Sequence, residues 1–296
     1  MWEFSTDTLY VLTRAVREGM PVAFAITAFI GLCVGSFLSV AVYRLPTILE
    51  RMEAHDDERD PETTSFNVAT PPSHCRECGH KIRWYENIPI LSYLVLRAKC
   101  ASCGFRISVT YPALEALACL ASVIALWHLR SIPLIVGAMV LSWSLICVSA
   151  IDIREKIIPD IIVLPMLWLG LICNAFELFT TLREAVFGAV IGYLSLWTLC
   201  WFYRITTGKE GMGRGDFKLL AMLGAWLGIG AIPVILMISF TTGAAVGILF
   251  MVIFRARLTS AIPFGPFLAT AGWIALYWSN AITQAYWQGL RIFSLG

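Results

Sequence analysis

Long apolar stretches separated by short polar breaks dominate this chain. Crossing a bilayer takes roughly 20 apolar residues as a helix. Stretches of about that length lie near 20–43, 112–130, 132–151, 161–180, 185–203, 216–230, 231–254 and 264–283. The pattern predicts an all-α fold of about eight transmembrane helices. The sixth is the weakest, being short and abutting the seventh at Gly228-Ile229-Gly230-Ala231-Ile232-Pro233. Residues 1–19 mix apolar and charged positions and suit an interfacial helix. The first apolar run lacks a small-residue cleavage site and reads as a retained span rather than a removed signal. Only 44–111 is a large hydrophilic segment, which divides the chain into 1–43, 44–111 and 112–296.

Composition agrees. Of 296 residues, 58% are hydrophobic and 14% charged, and the mean hydropathy is +0.74. A soluble domain is nearer about half apolar and about a quarter charged, so this is a polytopic membrane protein. A net charge of +2 is too small to imply nucleic acid as a partner. Basic residues set the orientation. With eight spans and an external N-terminus, the segments 44–111, 152–160, 204–218 and 255–263 face the cytoplasm and hold 17 of the 22 Lys and Arg residues. Within the long loop, 50–72 is acidic and then rich in Pro, Thr and Ser, which suits a solvated linker.

The same loop holds four of the nine cysteines. Cys75-Arg76-Glu77-Cys78-Gly79 and Cys100-Ala101-Ser102-Cys103-Gly104 form two C-x2-C pairs separated by a gap of 21 residues. A two-residue spacing turns both sulfurs of a pair toward one ion, and a following glycine supplies the positive φ of such a knuckle. Four thiolates predict a closed structural Zn²⁺ site, with a hairpin insert taking up the gap. His74 and His80 flank the first pair and are left outside the site. The other five cysteines lie in apolar runs and read as small core residues.

Two carboxylates carry the chemistry. Gly211-Met212-Gly213-Arg214-Gly215-Asp216 places an aspartate at the start of the sixth span, and Asp152 ends the third. The predicted topology puts both at one membrane edge. A carboxylate there is costly unless paired, hydrated or used. Two at one depth suit aspartic proteolysis, in which one takes a proton from water and the other polarises the scissile carbonyl. Helix dipoles favour charge on Asp216 and disfavour it on Asp152, which suggests base and acid respectively. Asp160 is the competing aspartate, but after Pro159 it suits an N-cap for the fourth span.

Gly211 to Lys218 resembles the glycine-x-glycine-aspartate signature of the type IV prepilin peptidases, which are bifunctional leader peptidases and N-methyltransferases. Further stretches resemble that family in the same order. They are Gly35-Ser36-Phe37-Leu38, Tyr43-Arg44-Leu45-Pro46, the paired knuckles with Trp84 to Tyr93 between them, and Tyr111-Pro112-Ala113-Leu114-Glu115. Asp152 with Ile158-Pro159-Asp160, and Ile262 to Phe267, complete the set. The resemblance implies a membrane aspartic protease core over 112–296, with Asp152 and Asp216 catalytic. The loop 44–111 would then be a zinc-binding segment tied to methyl transfer. It further implies a multi-pass protein of the bacterial inner membrane whose active site faces the cytoplasm. Its substrates would be type IV prepilins or pseudopilins held in the membrane lipid. After leader cleavage, the new N-terminus would be methylated from S-adenosylmethionine. Arg44, Tyr111 and Glu115 are the polar residues assigned to that cofactor. Ser39 and Ala98 depart from the family, which usually has Asn and Gly at these places. The competing class is a transporter or channel with a zinc-ribbon regulatory loop, since intramembrane carboxylates also mark ion paths.

Overall fold

The computed structural model describes residues 20–54, 67, 72–75, 77–209, 211–254 and 262–294. Nine α-helices are found among them. In order they are α1 (Met20–Ala54), α2 (Leu91–Val95), α3 (Thr110–His128), α4 (Ile132–Glu155), α5 (Asp160–Ala175), α6 (Leu182–Thr207), α7 (Arg214–Leu227), α8 (Ile232–Phe254) and α9 (Gly265–Ser294). Extended structure among these residues is limited to two isolated bridges, His74 with Lys81 and Lys99 with Arg106.

Each of the eight apolar stretches falls on a helix, but among the described residues five helical segments are long and apolar enough to cross a membrane. These are Pro21–Met52, Thr110–His128, Ile132–Glu155, Leu182–Thr207 and Ile229–Ile253. Helix α5 is apolar but has 16 residues, and α7 has 14, or about 21 Å at 1.5 Å per residue. Helix α1 also outruns its predicted end, continuing through Pro46 to Ala54. Residues 50–54 are therefore helical where a linker was expected. The rest of that linker, apart from Asn67 and Pro72, and the proposed interfacial helix at 1–19 lie outside the described residues.

The chain divides into two compact units, 1–147 and 148–296. In the first, α1 and α3 pack along a seam of small residues. A Cβ on Gly31 would sit 2.7 Å from the Cys119 Cα, and one on Gly35 would sit 2.5 Å from the Glu115 Cα. Spaced four apart, these glycines let two helix backbones approach where lipid supplies no hydrophobic drive. Trp143 of α4 donates to the Ser122 hydroxyl of α3 at 3.0 Å.

In the second unit α7 is the central element, packed by α5, α6 and α9. Every residue from Leu219 to Trp226 is buried. Over 219–226 the helix is apolar on all sides, as a segment inside a bundle is, so α7 need not match the bilayer thickness. Its approach to α6 is set by Gly224, where a Cβ would fall on the backbone of Gly188. Its far end is held by Asn174. The Asn174 amide donates to Ala225 O (2.8 Å) and Trp226 O (3.0 Å), and its oxygen accepts from the N–H groups of Phe179 and Thr180. These bonds satisfy carbonyls that the end of a helix leaves open. Trp226 adds a bond from its indole to Met166 O at 2.7 Å.

Candidate active site

Helix α7 begins in the glycine-rich stretch, and Asp216 lies in its first turn. Asp152 lies in the last turn of α4. Both are buried, at 6% and 5% exposure, and they interact electrostatically. For Asp216, the predicted place at a helix N-terminus is what is found. Its carboxylate also interacts with the backbone N–H of Gly213, the residue preceding the helix. Its Oδ1 is buried and has no hydrogen-bond partner among the described residues. A buried polar atom without a partner is uncommon in a folded protein and calls for an explanation. An open carboxylate oxygen is free to meet a water or a ligand.

Asp152 also lies where the sequence put it, but in a setting that the sequence did not show. It does end α4, but its Oδ2 also accepts the N–H of Gly265, the first residue of α9, at 3.0 Å. Both carboxylates therefore stand at a helix N-terminus, where partial positive charge favours an anion. The dipole argument that made Asp152 the acid and Asp216 the base does not hold in the folded chain. The two carboxylates feel each other's charge, so neither position alone assigns an acid or a base.

Glycines line this pair because nothing larger fits. A Cβ on Gly265 would sit 2.5 Å from Asp152 Oδ2, and one on Gly215 would sit 2.7 Å from the Ile158 Cβ. Ile158 also reaches within 3.1 Å of the same position on Gly265. Sequence reasoning did not assign Gly265 or Ile158 to the site. The signal was present in the phenylalanine-flanked Gly265-Pro266 pair, where Gly gives close approach and Pro suits a helix start. We expect Gly265→Ala to lower the rate of leader cleavage about 10²-fold, the scale on which misplacement by about 1 Å acts. Protein yield and helix content should be unchanged. Full activity in that variant would show that the Gly265 contact does not position Asp152.

Asp160 is not the N-cap that its sequence position suggested. Pro159 occupies that place, and Asp160 is the first helical residue of α5. Its carboxylate pairs with Lys218 of α7, with N–O distances of 2.6 and 2.8 Å. The pair is partly exposed, which limits it to about 0.2–1 kcal/mol. Asp160→Asn should therefore cost no more than about 1 kcal/mol of stability and leave most cleavage in place. Both are read from thermal denaturation and a turnover assay. An inactive Asp160→Asn variant beside an active Asp152→Asn variant would mean that Asp216 is paired with the wrong residue.

The four loop cysteines converge. Cys75 Sγ and Cys103 Sγ are 3.8 Å apart, Cys78 Sγ and Cys100 Sγ 4.0 Å, and all four sulfurs lie within 4.8 Å of one another. A tetrahedral ion with metal–sulfur bonds of about 2.3 Å places its ligands about 3.8 Å apart, so the set fits. Gly79 and Gly104 take φ of +69° and +72°, as the knuckle requires. The N–H groups of Cys78 and Glu77 hold the Cys75 thiol down at about 7. Cys103, although the N–H of Phe105 favours its thiolate, is pushed up to about 12 by burial and by its sulfur neighbours. Four thiols this close cannot all ionise unaided, and a divalent cation among them removes that conflict. His80 stands outside the cluster, facing Glu86 at 3.2 Å.

Comparison with known proteins accords with this geometry. Residues 29–129 match the bacterial peptidase A24 N-terminal domain, and residues 139–248 match the type IV leader peptidase family. A prepilin leader peptidase/N-methyltransferase of Pseudomonas aeruginosa is 47% identical over 275 residues, covering 90% of this chain and 95% of that protein. One from Pseudomonas putida is 48% identical over 264 residues, covering 88% and 92% of the two chains. One from Aeromonas hydrophila is 42% identical over 283 residues, covering 93% and 98%. The chain belongs to the type IV leader peptidase family. No solved structure matches it.

Membership directs attention to the residues expected to serve methyl transfer. Glu115 is buried on α3, and its Oε2 accepts the N–H of Ile90 at 2.7 Å. The Ser36 hydroxyl reaches the same carboxylate. Three motifs distant in sequence, at Gly35-Ser36, Trp84 to Ile90 and Tyr111 to Glu115, thus meet at one side chain. Tyr111 stacks on Tyr43 with centroids 4.9 Å apart, and Arg44 donates to Asn67 O at 3.3 Å. Each of the three has a protein partner. Of the two departures, Ser39 is buried and bonds back to Gly35 O at 3.1 Å. Ala98 takes φ of +59°, a conformation that costs a non-glycine residue about 1–2 kcal/mol. That is the physical reason a glycine suits the position.

Proposed function

We propose that this chain is a membrane aspartic endopeptidase that removes the basic leader of type IV prepilin-like precursors, with Asp152 and Asp216 as the catalytic pair. The observation that carries the reading is the buried pair at two helix N-termini, one of its oxygens without a partner among the described residues. In the step this supports, the ionised member of the pair takes a proton from water as the water oxygen bonds to the scissile carbonyl carbon. The protonated member donates to the carbonyl oxygen. As the tetrahedral intermediate collapses, the C–N bond breaks, the leaving amine takes a proton from the pair, and one hydroxyl of the intermediate returns its proton to the pair as the carbonyl re-forms. The bilayer presents the apolar part of the substrate, so the site sits at the cytoplasmic edge of the bacterial inner membrane, where the leader is accessible.

Family membership extends the activity to N-methylation of the new N-terminus, with S-adenosylmethionine as methyl donor. Arg44, Tyr111 and Glu115 are the residues we assign to that half, and the four loop cysteines hold a structural Zn²⁺. The competing transporter or channel reading has no support from the family. Incubating purified protein with a prepilin, with and without S-adenosylmethionine, tests the proposal by mass spectrometry. The expected products are the leader-free pilin alone in one arm and its mono-methylated form in the other. An uncut prepilin would overturn the peptidase reading, and a cut but never methylated one would overturn the second activity.

A further inference from the structure

The insert between the two metal knuckles displays a surface that the catalytic reading does not use. Trp84, Leu91, Leu94 and Val95 are 81%, 55%, 65% and 72% exposed. Neither the turn Trp84–Asn87 nor α2 buries a single residue. Residues 81–109 carry five basic side chains, Lys81, Arg83, Arg97, Lys99 and Arg106, all exposed, and one acidic one, Glu86. Glu86 is already engaged by the Arg83 N–H and faces His80. The face presented outward is therefore apolar and cationic.

Its depth follows from α3. That helix has 19 residues and spans about 28 Å, against about 30 Å of hydrocarbon. Almost its whole length is needed to cross, so its first turns stand at the hydrocarbon boundary. Glu115 is the sixth residue of α3, and helical side chains tilt toward the N-terminus. Its bond to the Ile90 N–H pins the insert at that level, immediately before α2. Ile90 itself is held at φ +58°, unfavourable for a β-branched residue, so the attachment is specified rather than loose.

We propose that the inter-knuckle insert lies in the membrane interface, with Trp84, Leu91, Leu94 and Val95 entering the headgroup and acyl boundary and its basic side chains facing anionic headgroups. Aromatic rings and basic side chains are the residues that favour this layer. The metal loop is then an interfacial wedge continuous with the α1–α3 pair, not a ribbon standing free in the cytoplasm. This would confine the loop to the plane where a membrane-held substrate emerges.

The test is site-specific photo-crosslinking of the full-length protein in vesicles of phosphatidylethanolamine and phosphatidylglycerol. Benzoylphenylalanine replaces Leu94, Val95 or, as the control on the first knuckle, Glu77, and each variant is first checked for wild-type metal content. Irradiation should add one phospholipid mass to the peptide carrying position 94 or 95 and leave position 77 without a lipid adduct. If one of the two probe positions does not fold, the other serves. Adducts only to an added prepilin or to a second copy of the chain would overturn the proposal. So would equal lipid labelling at positions 94 and 77, or none at either.

Discussion

Replacing Asp216 or Asp152 by Asn should reduce leader cleavage by at least about 10²–10⁴-fold, the range that a positioned acid or base contributes. An amide has the shape of a carboxylic acid but cannot pass a proton. The substitution is clean at Asp152, because the Asn oxygen can still accept the Gly265 N–H that Asp152 accepts at 3.0 Å. At Asp216 the Asn oxygen can likewise face the Gly213 N–H. Insertion, metal content and substrate binding should persist in both variants. The double variant should be little worse than either single one, since residues that work as a unit are not additive. The measurement is single-turnover cleavage of a purified prepilin. Residual activity near wild type in either variant would remove that aspartate from the chemistry.

Loss of the metal should have the second-largest effect. Purified protein is expected to carry about one zinc per chain, and Cys75→Ser with Cys78→Ser should abolish it. Structural zinc contributes about 10–16 kcal/mol in zinc-finger peptides, as much as the whole stability of an ordinary domain. Apart from the Glu115 bond to the Ile90 N–H, little packing holds the insert, because neither the turn Trp84–Asn87 nor α2 buries a residue. Without zinc, residues 72–109 should become cleavable by added protease while the second unit stays protected. Elemental analysis and limited proteolysis read the two outcomes. Two disulfides in a metal-free, protease-resistant loop would rule out the zinc assignment.

Much of this was legible in the chain because the relevant physics is local. A run of apolar residues predicts a membrane helix wherever it occurs, and each of the eight stretches is helical. Two C-x2-C pairs with trailing glycines specify a knuckle through their own backbone geometry, and the four sulfurs do converge. An aspartate placed just after Gly213-x-Gly215 announces a helix start, and Asp216 is found in that turn. The aspartate pair was likewise named from its positions along the chain, although its role in catalysis is proposed here rather than read from the fold.

Other features needed the folded chain, because they arise from contacts between distant segments. Whether a helix spans or is enclosed depends on its neighbours: α7 is too short to cross alone and is wrapped by α5, α6 and α9. Asp160 reads in sequence as a cap for α5, yet it is the first helical residue and its partner is Lys218, 58 residues on. Glu115, assigned from the sequence to the cofactor, closes three separate motifs onto one carboxylate. The division of labour within the aspartate pair could not be read from α4 and α7 alone. Each helix dipole acts at its own end, and the end that decides Asp152 belongs to α9, whose Gly265 N–H lies 113 residues away along the chain. The sequence by itself determined the helices, the knuckles and which carboxylates were candidates, since those depend on neighbours along the chain. Tertiary structure alone decided the electrostatic setting of the pair, because a field is set by whatever charge and dipole lie nearest in space.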